Sequence, residues 1–213
     1  GDRVEITSTD PGFPRDAAAW CNSTGNQLIS KETAGGKSVV VIEKGEPKSC
    51  NIVTSCEGKG KTFIMFSDDL DKALATFVLA NGAAATGQKV TIFFTFWGLN
   101  VIKKLHKPNV EKDIFGKMFG MMLPSSSRKL KLSKMSMGGI GGKMMRYIMN
   151  RKGIDSLESL RQQALENGVE FIACQMSMDV MGVKQEELLD EVTIGGVATY
   201  MERADNANIN LFI

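Results

Sequence analysis

The chain has 213 residues, 43% of them hydrophobic and 23% charged, and a formal net charge of +2. That length holds one full domain and a smaller one, and the near-neutral total argues against a dedicated nucleic-acid binder. Four cysteines, Cys21, Cys50, Cys56 and Cys174, behind an opening stretch with no signal-peptide pattern do not form a secreted disulfide framework; a reducing cytoplasm is the expected compartment, and no apolar run approaches the ~18 residues of a membrane span.

Residues 1–45 read as a compact β-α-β-β piece. Arg3-Val-Glu-Ile-Thr-Ser8 alternates as a strand, Asp10-Pro-Gly-Phe-Pro14 turns, residues 15–23 have helical spacing, and strands over 27–33 and 37–43 are joined through Gly35-Gly36. So few elements bury little, so the piece reads as a small, partial α+β unit, as though a strand and a helix were missing ahead of Gly1. Residues 46–60 are polar and glycine-bearing, a linker that carries Cys50 and Cys56.

From Lys61 the pattern alternates. The apolar run 61–67 is a strand buried on both faces, followed by a helix over 69–85 that ends at Gly87. Residues 88–96 form a second buried strand, 156–167 a helix closed by Gly168, 170–175 a third strand, 195–204 another helix and 209–213 a last strand. Strand and helix in alternation predict an α/β fold, a doubly wound and mainly parallel sheet spanning 61–213.

The interval 103–151 interrupts this pattern and holds eight of the thirteen methionines. Across 103–152 there are thirteen Lys and Arg against two acids, a net +11 that leaves −9 for the remainder. A connection of this length inside a domain predicts a functional flap, mobile and basic. It suits an acidic protein partner, an anionic membrane surface met peripherally, or a phosphate-bearing thiol such as coenzyme A.

Cys174 is the main chemical candidate. Catalytic groups of doubly wound sheets gather at the carboxyl ends of the strands, and Cys174 ends the third strand. With Ser177 capping a short helix from Met178, free amides and the helix dipole would lower the thiol's pKa, and Asp179 would oppose them. A free cysteine is equally at home as core packing, and the residues alone leave the two readings level. Cys21, after Trp20, suits a buried helix face and is a secondary thiol candidate. Cys50 and Cys56 lack the paired spacing and the nearby histidine of a zinc site, and no metal is expected. The single histidine, His106, reads as a solvated surface group. Thioethers at 118, 121, 122, 135, 137, 144, 145 and 149 could bind Cu(I), but without interleaved cysteine or histidine pairs they read as adaptable packing.

Four motifs, Lys61-Thr-Phe-Ile-Met-Phe-Ser-Asp-Asp69, Phe94-Thr-Phe-Trp-Gly-Leu99, Ala173-Cys-Gln-Met-Ser-Met-Asp-Val-Met-Gly182 and Gly195-Gly-Val-Ala-Thr-Tyr200, resemble the DsrE/DsrF-like family in its branch with a Met- and Gly-rich insertion. Thr9-Asp-Pro-Gly-Phe-Pro-Arg-Asp16, Ala19-Trp-Cys21 and Thr24-Gly-Asn26 resemble the second half of a TusA-like (SirA-like) domain that lacks its Cys-Pro-x-Pro motif. The resemblance implies a homo-oligomer and a sulfur relay. Sulfane sulfur would be held as a persulfide on Cys174, with Gln175, Met176, Ser177 and Met178 supporting it. It implies a rhodanese-like or TusA-like donor or acceptor, no tightly bound cofactor, coenzyme A persulfide as a candidate substrate, and a place at the end of a coenzyme A-disulfide reductase or rhodanese fusion. The competing expectation is a non-catalytic oligomeric module whose basic Met-rich segment binds a partner or a membrane surface.

Overall fold

The computed structural model describes residues 2–8, 12–45, 60–106, 108, 110, 112 and 114–213. Its first sheet is antiparallel, with β1 (Arg3–Ser8) and β2 (Gln27–Ala34) flanking β3 (Lys37–Glu43), and α1 (Phe13–Thr24) lies between β1 and β2 in sequence. The β2–β3 hairpin closes from Ala34 to Lys37 across Gly35 and Gly36, whose φ values of 58° and 74° favour glycine in so tight a turn. Ala17 and Cys21, one helical turn apart on α1, pack on Val40 and Ile42, alternate residues of β3. The helix starts with Pro14 in its first turn and stops at Gly25 in the left-handed conformation.

The second sheet is wholly parallel, in the order β7-β6-β5-β4-β8. Its strands are β4 (Gly60–Met65), β5 (Val90–Phe94), β6 (Glu170–Cys174), β7 (Thr193–Gly195) and β8 (Ala207–Phe212). All five residues of β5 are buried, as an uninterrupted apolar run between two covered faces requires. On one face lie α2 (Leu70–Ala85) and α5 (Leu157–Glu166). Leu70, Ala73, Phe77 and Ala80 of α2 are fully buried at helical spacing, and Phe77 is in ring contact with Phe94 and Phe171 at centroid distances of 6.4 and 5.7 Å. Ser156 caps α5 by accepting the Ser159 amide at 3.1 Å. The opposite face carries α7 (Val197–Asp205), where Tyr200 packs against Phe93. The α/β reading therefore holds, with a parallel sheet beside a small antiparallel one.

The strand limits 3–8 and 37–43 match β1 and β3, and the other strand and helix limits shift by up to three residues. Gly195, expected to open a helix, ends the short strand β7 instead, because it pairs with Cys174 at the sheet edge. The interval 103–151, expected as a mobile flap, contains α3 (Ile114–Met122) and α4 (Ile140–Arg151). Leu130, Leu132 and Met149 within it are buried, the two leucines in the main core. Buried polar groups fasten the same region. Arg161 donates to the Lys103 carbonyl at 3.3 Å, and Lys112 pairs with Glu187 at 2.5 Å. Most of the proposed linker, with Cys50 and Cys56, lies outside the described residues.

Candidate functional site

The site is built where β6 stops. Alternation along the strand sends Phe171 and Ala173 into the main core under α2 and α5, and Ile172 and Cys174 to the α7 face. Cys174 is therefore the last residue of an inner parallel strand and, at φ −70° and ψ 114°, also the N-cap of α6 (Gln175–Met181). The free amides of the first turn belong to Gln175, Met176 and Ser177. The thiol makes no capping bond to them.

Two expectations change here. Ser177 does not cap the helix. It is inside the first turn, fully buried, with its hydroxyl 2.8 Å from that of Thr95 at the end of β5. The helix begins three residues earlier than the serine suggested, because the strand runs straight into it. Cys174, expected to be reachable, is 2% exposed and packs with Phe93, Ile172 and Tyr200. Cys174 lines neither of two cavities, of about 720 and 980 Å³, among the described residues.

Of the supporting residues, Met178 is buried in the main core and Met176 is exposed. Gln175 has a connecting role. Its amide nitrogen donates to both carboxylate oxygens of Asp179 at 3.1 and 3.2 Å, and its carbonyl oxygen accepts from Arg15 at 3.2 Å. Asp179, expected to oppose a thiolate, is thus held in a hydrogen-bonded chain. Arg15 also donates to the Ile194 carbonyl at 3.5 Å. The next residue, Asp16, accepts from the Thr199 hydroxyl at 3.3 Å. The first helix accordingly sits at the ends of β6 and β7, a placement sequence reasoning missed. The signals for it were Arg15-Asp16 in one motif and Gly195-Gly196 in another, 180 residues apart.

The other flank is set by Gly182, which ends α6 at φ 61°. A Cβ there would lie 2.4 Å from the Gly116 Cα of α3, so the Met-rich segment meets the site helix backbone to backbone. Cys21 is 2% exposed in the small core, and burial pushes its thiol pKa up. Both facts suit packing better than chemistry. His106 is exposed. Among the described residues no group of three or more His, Cys, Asp and Glu side chains converges on a point where a metal could sit, and no helix is long and apolar enough to cross a membrane.

An α/β module with a parallel sheet, carrying a cysteine at the carboxyl end of an inner strand where a helix begins, is the class of protein that this fold and site define. The chain belongs to the DsrE/DsrF/DrsH-like family, whose profile matches residues 58–212. It is 44% identical over 155 residues to the uncharacterized protein YrkE of Bacillus subtilis, covering 73% of this chain and 97% of that one. It is 38% identical over 161 residues to the sulfur carrier protein DsrE2 of Allochromatium vinosum, covering 74% and 99% respectively. A putative sulfur carrier protein of Aquifex aeolicus is 41% identical over 44 residues, 21% of this chain and 22% of that protein.

Proposed function

We propose that this protein is a sulfur relay that carries sulfane sulfur on Cys174. The reading is supported most by one observation: the cysteine of the Ala173-Cys-Gln-Met-Ser-Met-Asp-Val-Met-Gly182 motif is at once the end of an inner strand and the N-cap of α6, in a chain similar along most of its length to a sulfur carrier. The Cys174 thiolate attacks the outer sulfur of a donor persulfide, the donor S–S bond breaks, and the donor leaves as its thiolate. Cys174 then holds one extra sulfur as Cys–S–SH until an acceptor thiolate attacks that sulfur in turn. No net oxidation occurs, so no external oxidant is needed. An N-cap backbone lets a short side chain meet the free first-turn amides by a change of χ1, which would favour the anionic form of thiol and persulfide.

On this reading the donors and acceptors are persulfide-bearing proteins of rhodanese-like or TusA-like type, with coenzyme A persulfide as a small-molecule candidate, and the working unit is a homo-oligomer. Residues 1–45, which resemble the second half of a TusA-like domain, act on this reading as a structural partner of the relay. The deciding experiment is peptide mass spectrometry after incubation with a persulfide donor. One added sulfur on the Cys174 peptide, lost in Cys174→Ala, is the expected result. An unmodified Cys174 under conditions that load a TusA-like carrier overturns it.

A second reading has its own observation. The insertion presents Met121 and Met122, 85% and 76% exposed, together with Met135, Met137, Ile140 and Tyr147 on a strongly basic segment. Such a surface suits an interaction module that binds a protein partner or a membrane surface. Under that reading Cys174→Ala loses nothing, and neutralising the lysines of 103–151 abolishes binding.

A further inference from the structure

The first turn of α7 has neither a capping side chain nor an acidic residue of its own. Its N-cap is Gly196, and both carboxylate oxygens of Asp16, from α1, lie against that glycine: a Cβ built at Gly196 would be 2.2 and 2.4 Å from them. Asp16 also accepts from Thr199, the third residue of the helix. An acid from another part of the chain thus supplies the negative charge that a helix N-terminus favours. One residue further along the same turn is Tyr200, which shares a buried cluster with Cys174, Phe93 and Ile172. Beside Asp16, Arg15 bridges Gln175, the residue after Cys174, to the carbonyl of Ile194, whose neighbour Gly195 is the sheet partner of Cys174. The two side chains of α1 therefore hold the start of α6, the end of β7 and the first turn of α7.

We propose that α1 is a clamp: docked through Arg15 and Asp16 it holds the first turn of α7 and Tyr200 over Cys174, and its release opens the thiol. The Arg15 hydrogen bonds are exposed and the Asp16–Thr199 bond is part-buried, and the docked helix packs on a small core of its own, so the closed state is held by a few weak, separable interactions. The clamp rests on the sulfur-relay reading for its biological use. The contact itself does not depend on that reading. For a relay it would confine sulfur exchange to encounters in which a partner displaces α1.

Iodoacetamide labelling of the native chain, followed by peptide mass spectrometry at Cys174, tests it. Asp16→Ala removes the acid, and Gly196→Ala leaves α1 unaltered but puts a methyl where the carboxylate lies, at a φ of −112° that any residue adopts. Both variants are expected to speed labelling of Cys174 on the order of tenfold, and Arg15→Ala by a smaller factor, since each loses one or two hydrogen bonds of modest strength. Circular dichroism on the same samples confirms that the main sheet is intact, and Arg15→Ala, a change at an exposed side chain, serves where the others fail to fold. Unchanged Cys174 labelling in the folded variants overturns the clamp. Persulfide loading separates the two ideas. Faster labelling without sulfur uptake in any variant keeps the clamp and overturns the relay, while uptake at wild-type speed with unchanged labelling keeps the relay and overturns the clamp.

Discussion

The five-stranded sheet buries Phe94 and Phe171 in mutual ring contact with Phe77 of α2, whereas the buried apolar side chains of the three-stranded sheet and α1 are, among the described residues, Ala17, Cys21, Val40 and Ile42. Burying a large apolar side chain contributes about 1.5–3 kcal/mol, while ordering each backbone residue costs about 1–2 kcal/mol. A cluster of four buried side chains backed by half-buried Phe13 and Leu28 therefore leaves the small unit marginal, and on the same face the edge strand leaves Val4 and Ile6, the register partners of Ile42 and Val40, exposed. The comparison teaches that the first sheet gains from leaning on α7, and that this dependence is what sets an arginine and an aspartate beside Cys174.

The contrast can be broken from either side. The largest effect is expected for Phe77→Ala, about 3–5 kcal/mol of stability lost to the cavity it leaves, read as a shift in the denaturant midpoint of the major transition. Val40→Ala should cost about 2 kcal/mol, yet melt the small sheet first and leave the main transition in place. A single transition shifted as a whole would show that the two sheets fold as one unit. Cys174→Ala vacates little volume and is expected to cost about 1 kcal/mol, with sulfur uptake lost altogether.

Acid sensitivity sharpens the picture further. Burial alone would raise the Glu170 carboxyl, but hydrogen bonds from Arg203 and Thr91, with the charge of Arg203, outweigh it and hold it below its ordinary 4.5. A depressed folded pKa gives stability that is present above the unfolded value and is lost as pH falls through the folded one. Glu170→Gln should therefore remove part of the main sheet's acid sensitivity below about pH 4.5, by about 1 kcal/mol or less for a pair a third exposed to screening solvent. Asp68, raised chiefly by burial, contributes with the opposite sign, whereas Asp71, where burial is outweighed by hydrogen bonds from Ser133, contributes with the same sign as Glu170. The smallest effect belongs to Arg3→Ala on the first sheet. Its pair with Glu43 at 2.7 Å is mostly exposed, and a few tenths of a kcal/mol is the expected loss, checked by the same melt.

The apolar runs around Phe63, Ile92 and Phe171 and the spacing of Leu70, Ala73, Phe77 and Ala80 were readable in advance, because burial on both faces of a strand, or on one face of a helix, leaves a period in the sequence. Cys174 at a strand end was readable for the same reason. The helix starting at Gln175 instead of Met178 was not, since a cysteine gives no capping signal and Ser177 gives a false one. The helices α3 and α4 were hidden by glycines at 116, 141 and 142, which lower helix propensity but here allow close backbone approach.

Local pattern by itself thus determined the α/β class, the parallel strands, the α1–β2–β3 unit and the chemical candidate, each encoded within a few consecutive residues. Only the tertiary structure decided that the thiol faces α7 and is closed over, that Arg15 and Asp16 reach Gln175 and Thr199, and that Gly116 meets Gly182. Those contacts join residues far apart in the chain, through geometry set by packing of whole elements, and packing of that kind leaves no period for a sequence to display.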